Sequence, residues 1–310
     1  MIYTVTLNPT LDRTLTVPNL RLGELNRARS VRLDLSGKGI NVSRLLRRLE
    51  IPSRVMGFVG GGTGKAIQDG LTEEGFETIF IQVIGETRQN ITIVDEATGV
   101  YTKINEPGAA VDPSDLAAMR TLIGRMAAAN DLWVFSGSLP PGAPADFYAQ
   151  LISQVQGRGG RAFLDTSGEA LRQGLAARPY AIKPNSEEAS ELLGRPLVSD
   201  EDHLAAARQL QACGPRLVCL TRGAQGLVLA LDQALLLAPA LPITPVSPIG
   251  AGDATMAGLM WAVRDQCNAI ETARRALACG AAAAMQEGTD VGDRATVEQL
   301  LRQVRLAGPF

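Results

Sequence analysis

The sequence predicts an α/β fold, a mostly parallel central sheet covered by helices on both faces, with a small β-sheet lid over one edge. Three observations predict it. Short apolar runs alternate with helix-period segments from about residue 53 to the end. Two stretches, Arg13 to Asp34 and Asn90 to Asn105, break that alternation and read as antiparallel strands without helices. Turns rich in Gly, Ser and Asn follow the strands repeatedly, at the carboxyl edge where open α/β sheets bind ligands.

Strands are expected at Arg54 to Val59, Leu132 to Phe135, Ala162 to Asp165, Tyr180 to Lys183 and Leu217 to Thr221, with helices between them. The clearest helix begins at Asp112, has Pro113 at its first position, and carries an apolar stripe of Leu116, Met119, Leu122, Ile123 and Met126. In the second interruption Ile91 to Val94 and Tyr101 to Ile104 flank a polar turn ending in Gly99. Strands without helices need a surface to cover, so the lid is drawn from about residues 10–35 and 88–106 of a single domain spanning 1–310. A plain structural hairpin is the simpler alternative.

The 310 residues carry a net charge of −2 with scattered Lys and Arg, which argues against a nucleic-acid or membrane surface and leaves room for a small anionic ligand. No apolar run approaches about 18 residues and the N-terminus lacks a basic leader, so neither a membrane span nor a signal peptide is expected. Cys213, Cys219, Cys267 and Cys279 show no CxxC spacing; each is expected buried and reduced, as in a cytoplasmic protein. His203, the only histidine, sits in a polar stretch and reads as part of a solvated helix face. One histidine excludes His-based metal sites and Ser-His-Asp or Cys-His catalysis.

Chemistry concentrates at Pro248-Ile249-Gly250-Ala251-Gly252-Asp253-Ala254, a glycine turn opening onto an apolar helix. Free N–H groups at a helix start bind anions, and glycines let a phosphate approach them. Asp253 would repel that phosphate, so it is either a general base for a hydroxyl attacking a phosphoryl group or a helix cap. Ser36-Gly37-Lys38-Gly39-Ile40-Asn41 places a cation and an amide before another helix. Gly60-Gly61-Gly62-Thr63-Gly64-Lys65 fails the P-loop pattern at Val59 and Ala66 and fails GxGxxG at Lys65, leaving a strand-to-helix turn near the ligand. In Lys183-Pro184-Asn185-Ser186-Glu187-Glu188, Asn185 or Ser186 could cap a helix with Glu188 completing a capping box. Alternatively, Asn185 faces nucleotide phosphates and Glu188 a magnesium ion through water. Thr221-Arg222-Gly223-Ala224-Gln225-Gly226 could border a base or ribose, or simply turn into a hairpin strand at Leu227 to Leu231. Ser136-Gly137-Ser138-Leu139-Pro140 offers hydroxyls at the same edge.

These segments together make the chain resemble the PfkB branch of the ribokinase-like carbohydrate kinases. The resemblance rests on Asn8-Pro9-Thr10-Leu11-Asp12, Gly37-Lys38-Gly39-Ile40-Asn41, Thr87-Arg88-Gln89-Asn90, Ser136-Gly137-Ser138-Leu139-Pro140, Lys183-Pro184-Asn185 with Glu188, and Gly250-Ala251-Gly252-Asp253, in the family's order. It implies a ribokinase-like three-layer α/β/α sandwich with a lid, ATP and Mg2+ as cosubstrate and metal, and a homodimer formed through the lids. Asp253 would be the base and Gly250, Ala251 and Gly252 the rest of the catalytic turn, with the N–H groups of Ala251, Gly252 and Asp253 stabilising the moving phosphoryl group. Asp12, Gly37, Lys38, Gly39, Asn41 and Ser138 would meet the sugar, with Arg88, Arg27 and Lys38 suited to its phosphate. Lys183, Asn185, Thr221, Gly223, Gly226 and Gly252 would meet the nucleotide. Ser36, Ile249 and Ala254 depart from the family pattern; losing a hydroxyl at 254 removes a nucleotide contact but not the base.

Within the family the chain looks most like the phosphosugar kinases, which implies a ketohexose phosphate as substrate, fructose 1-phosphate ahead of fructose 6-phosphate or tagatose 6-phosphate. The Met1 to Pro9, Gly23 to Arg27 and Gly39 to Arg44 stretches carry that preference, whereas Thr87 to Asn90 and Pro107 to Ala110 look more like enzymes of the 6-phosphate. A non-catalytic regulator that binds nucleotide or sugar phosphate is the alternative of a different class.

Overall fold

In the computed structural model, which describes residues 1–288 and 290–306, the order is β1 (Ile2–Thr6), β2 (Thr10–Val17), β3 (Ser30–Ser36), α1 (Lys38–Arg48), β4 (Arg54–Val59), α2 (Gly61–Glu73), β5 (Glu77–Gln82), β6 (Gln89–Asp95), β7 (Tyr101–Asn105), α3 (Pro113–Met126), β8 (Leu132–Ser136), α4 (Phe147–Gly157), β9 (Arg161–Asp165), α5 (Gly168–Ala176), β10 (Ala181–Ile182), α6 (Ser186–Leu193), α7 (Asp200–Ala212), β11 (Leu217–Thr221), β12 (Leu227–Leu231), β13 (Ala234–Ala238), α8 (Ala251–Arg264), α9 (Ala269–Ala284) and α10 (Arg294–Leu301). All five expected strands form, with β10 shortened to two residues.

Nine strands make one sheet, ordered β13-β12-β11-β10-β9-β8-β1-β4-β5. It is parallel from β5 to β11, and β12 and β13 extend it as an antiparallel hairpin. Apolar residues of α1, α8, α9 and α10 cover one face, with α2 packing beside α1; those of α3 to α7 cover the other. This is the three-layer sandwich expected. Helix α3 starts as its sequence demands, with Asp112 and Asp115 in a reciprocal capping box and Pro113 in the first turn.

Strand β1 was not evident from patterning, yet it lies mid-sheet, parallel to β4 and β8 and wholly buried. Its polar residues are satisfied internally: the Thr4 and Ser43 hydroxyls bond at 2.8 Å, and Thr6 Oγ1 accepts from the Gly39 N–H at 3.0 Å.

The lid is a four-stranded sheet, β3-β2-β6-β7. The antiparallel reading needs one amendment. Each ribbon is antiparallel, but β2 joins β6 in parallel, because both leave the carboxyl edge of the main sheet in the same direction. Register alternation gives the lid two chemically different faces. The rows Asp34–Asp12–Asn90–Asn105 and Arg32–Thr14–Thr92–Lys103 are polar. The rows Leu33–Arg13–Ile91–Ile104 and Val31–Leu15–Ile93–Thr102 are largely apolar, and Val31, Leu33 and Ile104 stand at least half exposed.

Two sequence readings are corrected. His203 is not on a solvated face but buried at 2 % exposure, because α7 packs His203, Ala206, Ala207 and Leu210 inward. Cys213 is exposed just past the end of α7, and Cys267 is partly exposed; only Cys219 and Cys279 are buried as expected. Among the described residues no helix is long and apolar enough to cross a membrane.

Candidate active site

Helix α8 settles what Asp253 does locally. Its N-cap is Gly250, in the left-handed region at φ 79°, and no side chain caps the helix. Asp253 therefore does not serve as a cap. Its carboxylate is nearly buried and accepts from Asn41 Nδ2 at 2.8 Å, across 212 positions of sequence. Burial, reinforced by the charge of Asp165, pushes the Asp253 carboxyl up to about 6, against the opposing pull of Lys38, Asn41 and Lys183. A carboxyl so placed is ionised at neutral pH yet basic enough to accept a proton. The Gly252 and Asp253 N–H groups have no protein acceptor among the described residues, whereas the Ala251 N–H leans on the Pro248 carbonyl at 3.4 Å.

Asp165, at the end of β9, is a site residue that the sequence reading missed. It is fully buried between two lysines, with Oδ1 3.2 Å from Lys38 Nζ and Oδ2 3.3 Å from Lys183 Nζ. Burial alone would raise its carboxyl, but Lys183 and Lys38 outweigh that and hold it below the usual carboxylate range. In return Asp165 raises the Lys38 ammonium, to which Asp253 and Glu188 also contribute. Lys183 reaches the start of α8: a Cβ on Gly252 would lie 3.3 Å from its Nζ. Lys38, Asn41, Asp165, Lys183, Glu188 and Asp253 thus share one electrostatic site. Gly37 caps α1 and Gly39 rests on Thr6, which fixes where Lys38 and Asn41 point.

At the lid base Arg88 Nη2 donates to the Asn8 carbonyl at 3.0 Å, while its buried Nε has no partner among the described residues. Burial lowers the Arg88 guanidinium, partly offset by Asp12. Asn8 Nδ2 lies 3.4 Å from the exposed Ser138 hydroxyl, and Asn8, Arg88 and Ser138 line an open cavity of about 530 Å³ together with Leu139, Pro140 and Ala170. Asp12 Oδ1 accepts from Asn90 Nδ2 at 2.9 Å on the polar lid face. Arg27 is not brought to this group; it is exposed in the connection between β2 and β3.

The remaining turns fold as their local chemistry requires. Asn185 and Glu188 form a reciprocal capping box on α6, which leaves Asn185 Nδ2 and Glu188 Oε1 without protein partners among the described residues. Thr221 joins Asn185 in a parallel bridge, and its N–H donates to the Pro184 carbonyl at 3.0 Å. Gly223 opens a short 3-10 turn and Gly226 completes the bend into β12; a Cβ on Gly226 would lie 2.1 Å from the Ala238 carbonyl oxygen, and its φ is 91°. The glycine run at 60–64 is a strand-to-helix turn, and Glu86 already accepts from two of its helix-start N–H groups, those of Gly62 and Thr63.

Residues 5–295 match the family model of pfkB family carbohydrate kinases. The chain is 35 % identical over 306 residues to a 1-phosphofructokinase of Bacillus subtilis, covering 99 % of each chain. It is 39 % identical over 280 residues to one of Rhodobacter capsulatus, covering 89 % of this chain and 88 % of that one. Among solved structures, phosphofructokinase-2 from Escherichia coli superimposes with a TM-score of 0.93 at 29 % identity, over 97 % of this chain and 98 % of that one.

Proposed function

The chain belongs to the pfkB family of carbohydrate kinases, and from that premise we propose that it is a 1-phosphofructokinase, transferring the γ-phosphoryl group of ATP to the C6 hydroxyl of fructose 1-phosphate. The observation that carries the kinase reading is Asp253: a buried carboxylate in the first turn of α8 that caps nothing, is held by Asn41, and stands beside free helix-start N–H groups.

In the reaction the sugar hydroxyl oxygen bonds to the γ-phosphorus as the bond to ADP breaks, and the hydroxyl proton passes to Asp253. Charge on the moving phosphoryl oxygens falls to the Gly252 and Asp253 N–H groups and to Lys183, preorganised by Asp165. The Ala251 N–H turns from the Pro248 carbonyl, over the helix start that Gly250 opens, to complete the hole. Asn185, Thr221, Gly223 and Gly226 border the nucleotide. The residues present fit an Mg2+ carried on nucleotide phosphates, for Glu188 keeps Oε1 free and such an ion needs only one or two carboxylates. When bound, the ion neutralises phosphate charge; Glu188 would hold it through water. Among the described residues no cluster of three or more His, Cys, Asp or Glu could cage an ion.

Asp12 and Asn41, with Gly37 and Gly39 shaping the turn, face the sugar. Arg88, Lys38 and Ser138 clamp its phosphate, Arg88 supplying a desolvated guanidinium at the 530 Å³ cavity. Arg27 is kept as a lesser candidate for that phosphate. The domain is one unit over residues 1–310, with the lid strands inserted. The half-exposed apolar face of the lid, built on Val31, Leu33, Ile91 and Ile104, is suited to pair two copies as a homodimer. Four unpaired cysteines fit a cytoplasmic setting.

The likeness to phosphofructokinase-2 from Escherichia coli, solved in complex with fructose 6-phosphate, favours that sugar phosphate as a second reading, and tagatose 6-phosphate is kept beside it. ADP release from MgATP decides, measured against fructose 1-phosphate, fructose 6-phosphate, tagatose 6-phosphate and free fructose at matched concentration. Preference for fructose 1-phosphate is the expected result. Preference for a 6-phosphate moves the reacting hydroxyl to C1, and turnover of free fructose alone overturns the phosphate clamp.

A further inference from the structure

His203 has no place in the mechanism above, yet it is buried at 2 % exposure directly behind the turn that carries Asn185 and Glu188. Its Nδ1 lies 2.7 Å from the Ser199 carbonyl oxygen, which can only accept, so Nδ1 carries the proton. In the neutral ring Nε2 is then the acceptor, and the Ser186 hydroxyl donates to it at 3.0 Å. Ser186 is the first residue of α6, adjacent to Asn185, and its Oγ lies 3.4 Å from the Thr221 carbonyl of the neighbouring turn. A second strut runs in parallel. Arg222, next to Thr221 and with its side chain 5 % exposed, pairs with Asp200 in the first turn of α7. One helix start therefore braces from behind both turns given to the nucleotide.

We infer that His203 is a positioning residue for the nucleotide: by accepting from Ser186 it fixes the α6 start, and with it Asn185 and Thr221, in the arrangement that binds ATP. This rests on the nucleotide sitting against residues 183–188 and 221–226. Without the acceptor, the Ser186 hydroxyl has only the distant Thr221 carbonyl to turn to, and the turn loosens. The sugar side of the site, held by β1, α1 and the lid, touches none of this.

The test compares wild type with His203→Phe, His203→Gln and Ser186→Ala, reading KM for ATP, KM for the sugar phosphate, kcat, and the calorimetric Kd of AMP-PNP with magnesium. His203→Phe keeps the volume and loses the acceptor; it should raise KM for ATP and the AMP-PNP Kd roughly tenfold, the worth of one buried hydrogen bond, with kcat and the sugar-phosphate KM within about twofold. Ser186→Ala should do the same. His203→Gln, whose amide oxygen can accept from Ser186, should recover most of the loss. Unchanged AMP-PNP affinity in both His203→Phe and Ser186→Ala, or losses shared equally by nucleotide and sugar phosphate, would overturn the inference. If wild type binds AMP-PNP but turns over no sugar phosphate, the proposed function fails while weakened binding in the variants still upholds the brace. Wild type that binds no AMP-PNP overturns both.

Discussion

Replacing Asn41 with Leu separates two roles for that residue. In the structure its Nδ2 donates to Asp253 Oδ2 at 2.8 Å, and its Oδ1 lies 3.4 Å from Arg44 Nη1, so both polar atoms have protein partners. A hydrogen bond to a charged group contributes about 1.5–3 kcal/mol, which is about 1–2 pKa units favouring the ionised form. Asp253, held at about 6 with that bond in place, should rise to roughly 7–8 without it. A general base works only when deprotonated, so kcat/KM for the sugar phosphate should climb through about pH 6 in wild type and through roughly pH 7–8 in Asn41→Leu. At pH near 6.5 the variant should lose about tenfold more activity than it loses near pH 9, where only the sugar contact of Asn41 is missing. The assay is ADP release across pH at subsaturating sugar phosphate. An acid limb that stays in place while activity falls equally at every pH would refute the reasoning and leave the sugar contact as the one role of Asn41.

Asp253→Asn should cut turnover on the order of a hundredfold or more while raising the melting temperature near pH 8. The sign follows from the raised carboxyl: the folded state binds its proton more tightly than the unfolded chain, so the native residue favours folding at acid pH and loses that advantage as pH rises through about 6. The gap between the two melting curves should therefore close below about pH 4, and a gap independent of pH would count against a buried, raised Asp253. Arg88→Ala should increase the sugar-phosphate KM far more than the ATP KM, because its guanidinium lines the lid-base cavity; equal increases would remove it from the clamp. Leu33→Glu, on the edge strand β3 of the apolar lid face, should convert dimer to monomer by light scattering, and a variant that stays dimeric would place the interface elsewhere.

Much of this was legible in the sequence because parallel sheets announce themselves. Runs such as Leu132 to Phe135 and Leu217 to Thr221 are apolar on both faces, and the turns after them carry the glycines and amides of the site. What escaped depended on distant partners. Strand β1 alternates Ile, Tyr, Thr, Val, Thr, and nothing local says that its threonines will be buried; that requires Ser43 and Gly39 to meet them. Asp165 ends a strand without a glycine motif, and its meaning appears only when Lys38, 127 positions away, arrives beside Lys183. The link from Asn41 to Asp253 was out of reach because it joins residues 212 positions apart. The burial of His203 was available: positions 203, 206, 207 and 210 follow the i, i+3, i+4, i+7 spacing of a buried helix face, but the surrounding charges of Asp200 to Asp202 drew the reading toward solvent.

The central position of β1 also sets an order of events for a chain made from its N-terminus. The first strand synthesised needs β4 on one side and β8 on the other, so one of its edges stays unpaired until residue 132 and beyond are available. Asn41 must then wait for Asp253, which arrives with α8, the third helix from the end. The proton acceptor and the glycine turn around it are therefore the last part of the candidate site to be made, and they arrive with the helices that cover one face of the sheet, so completing that layer and completing the site are a single event.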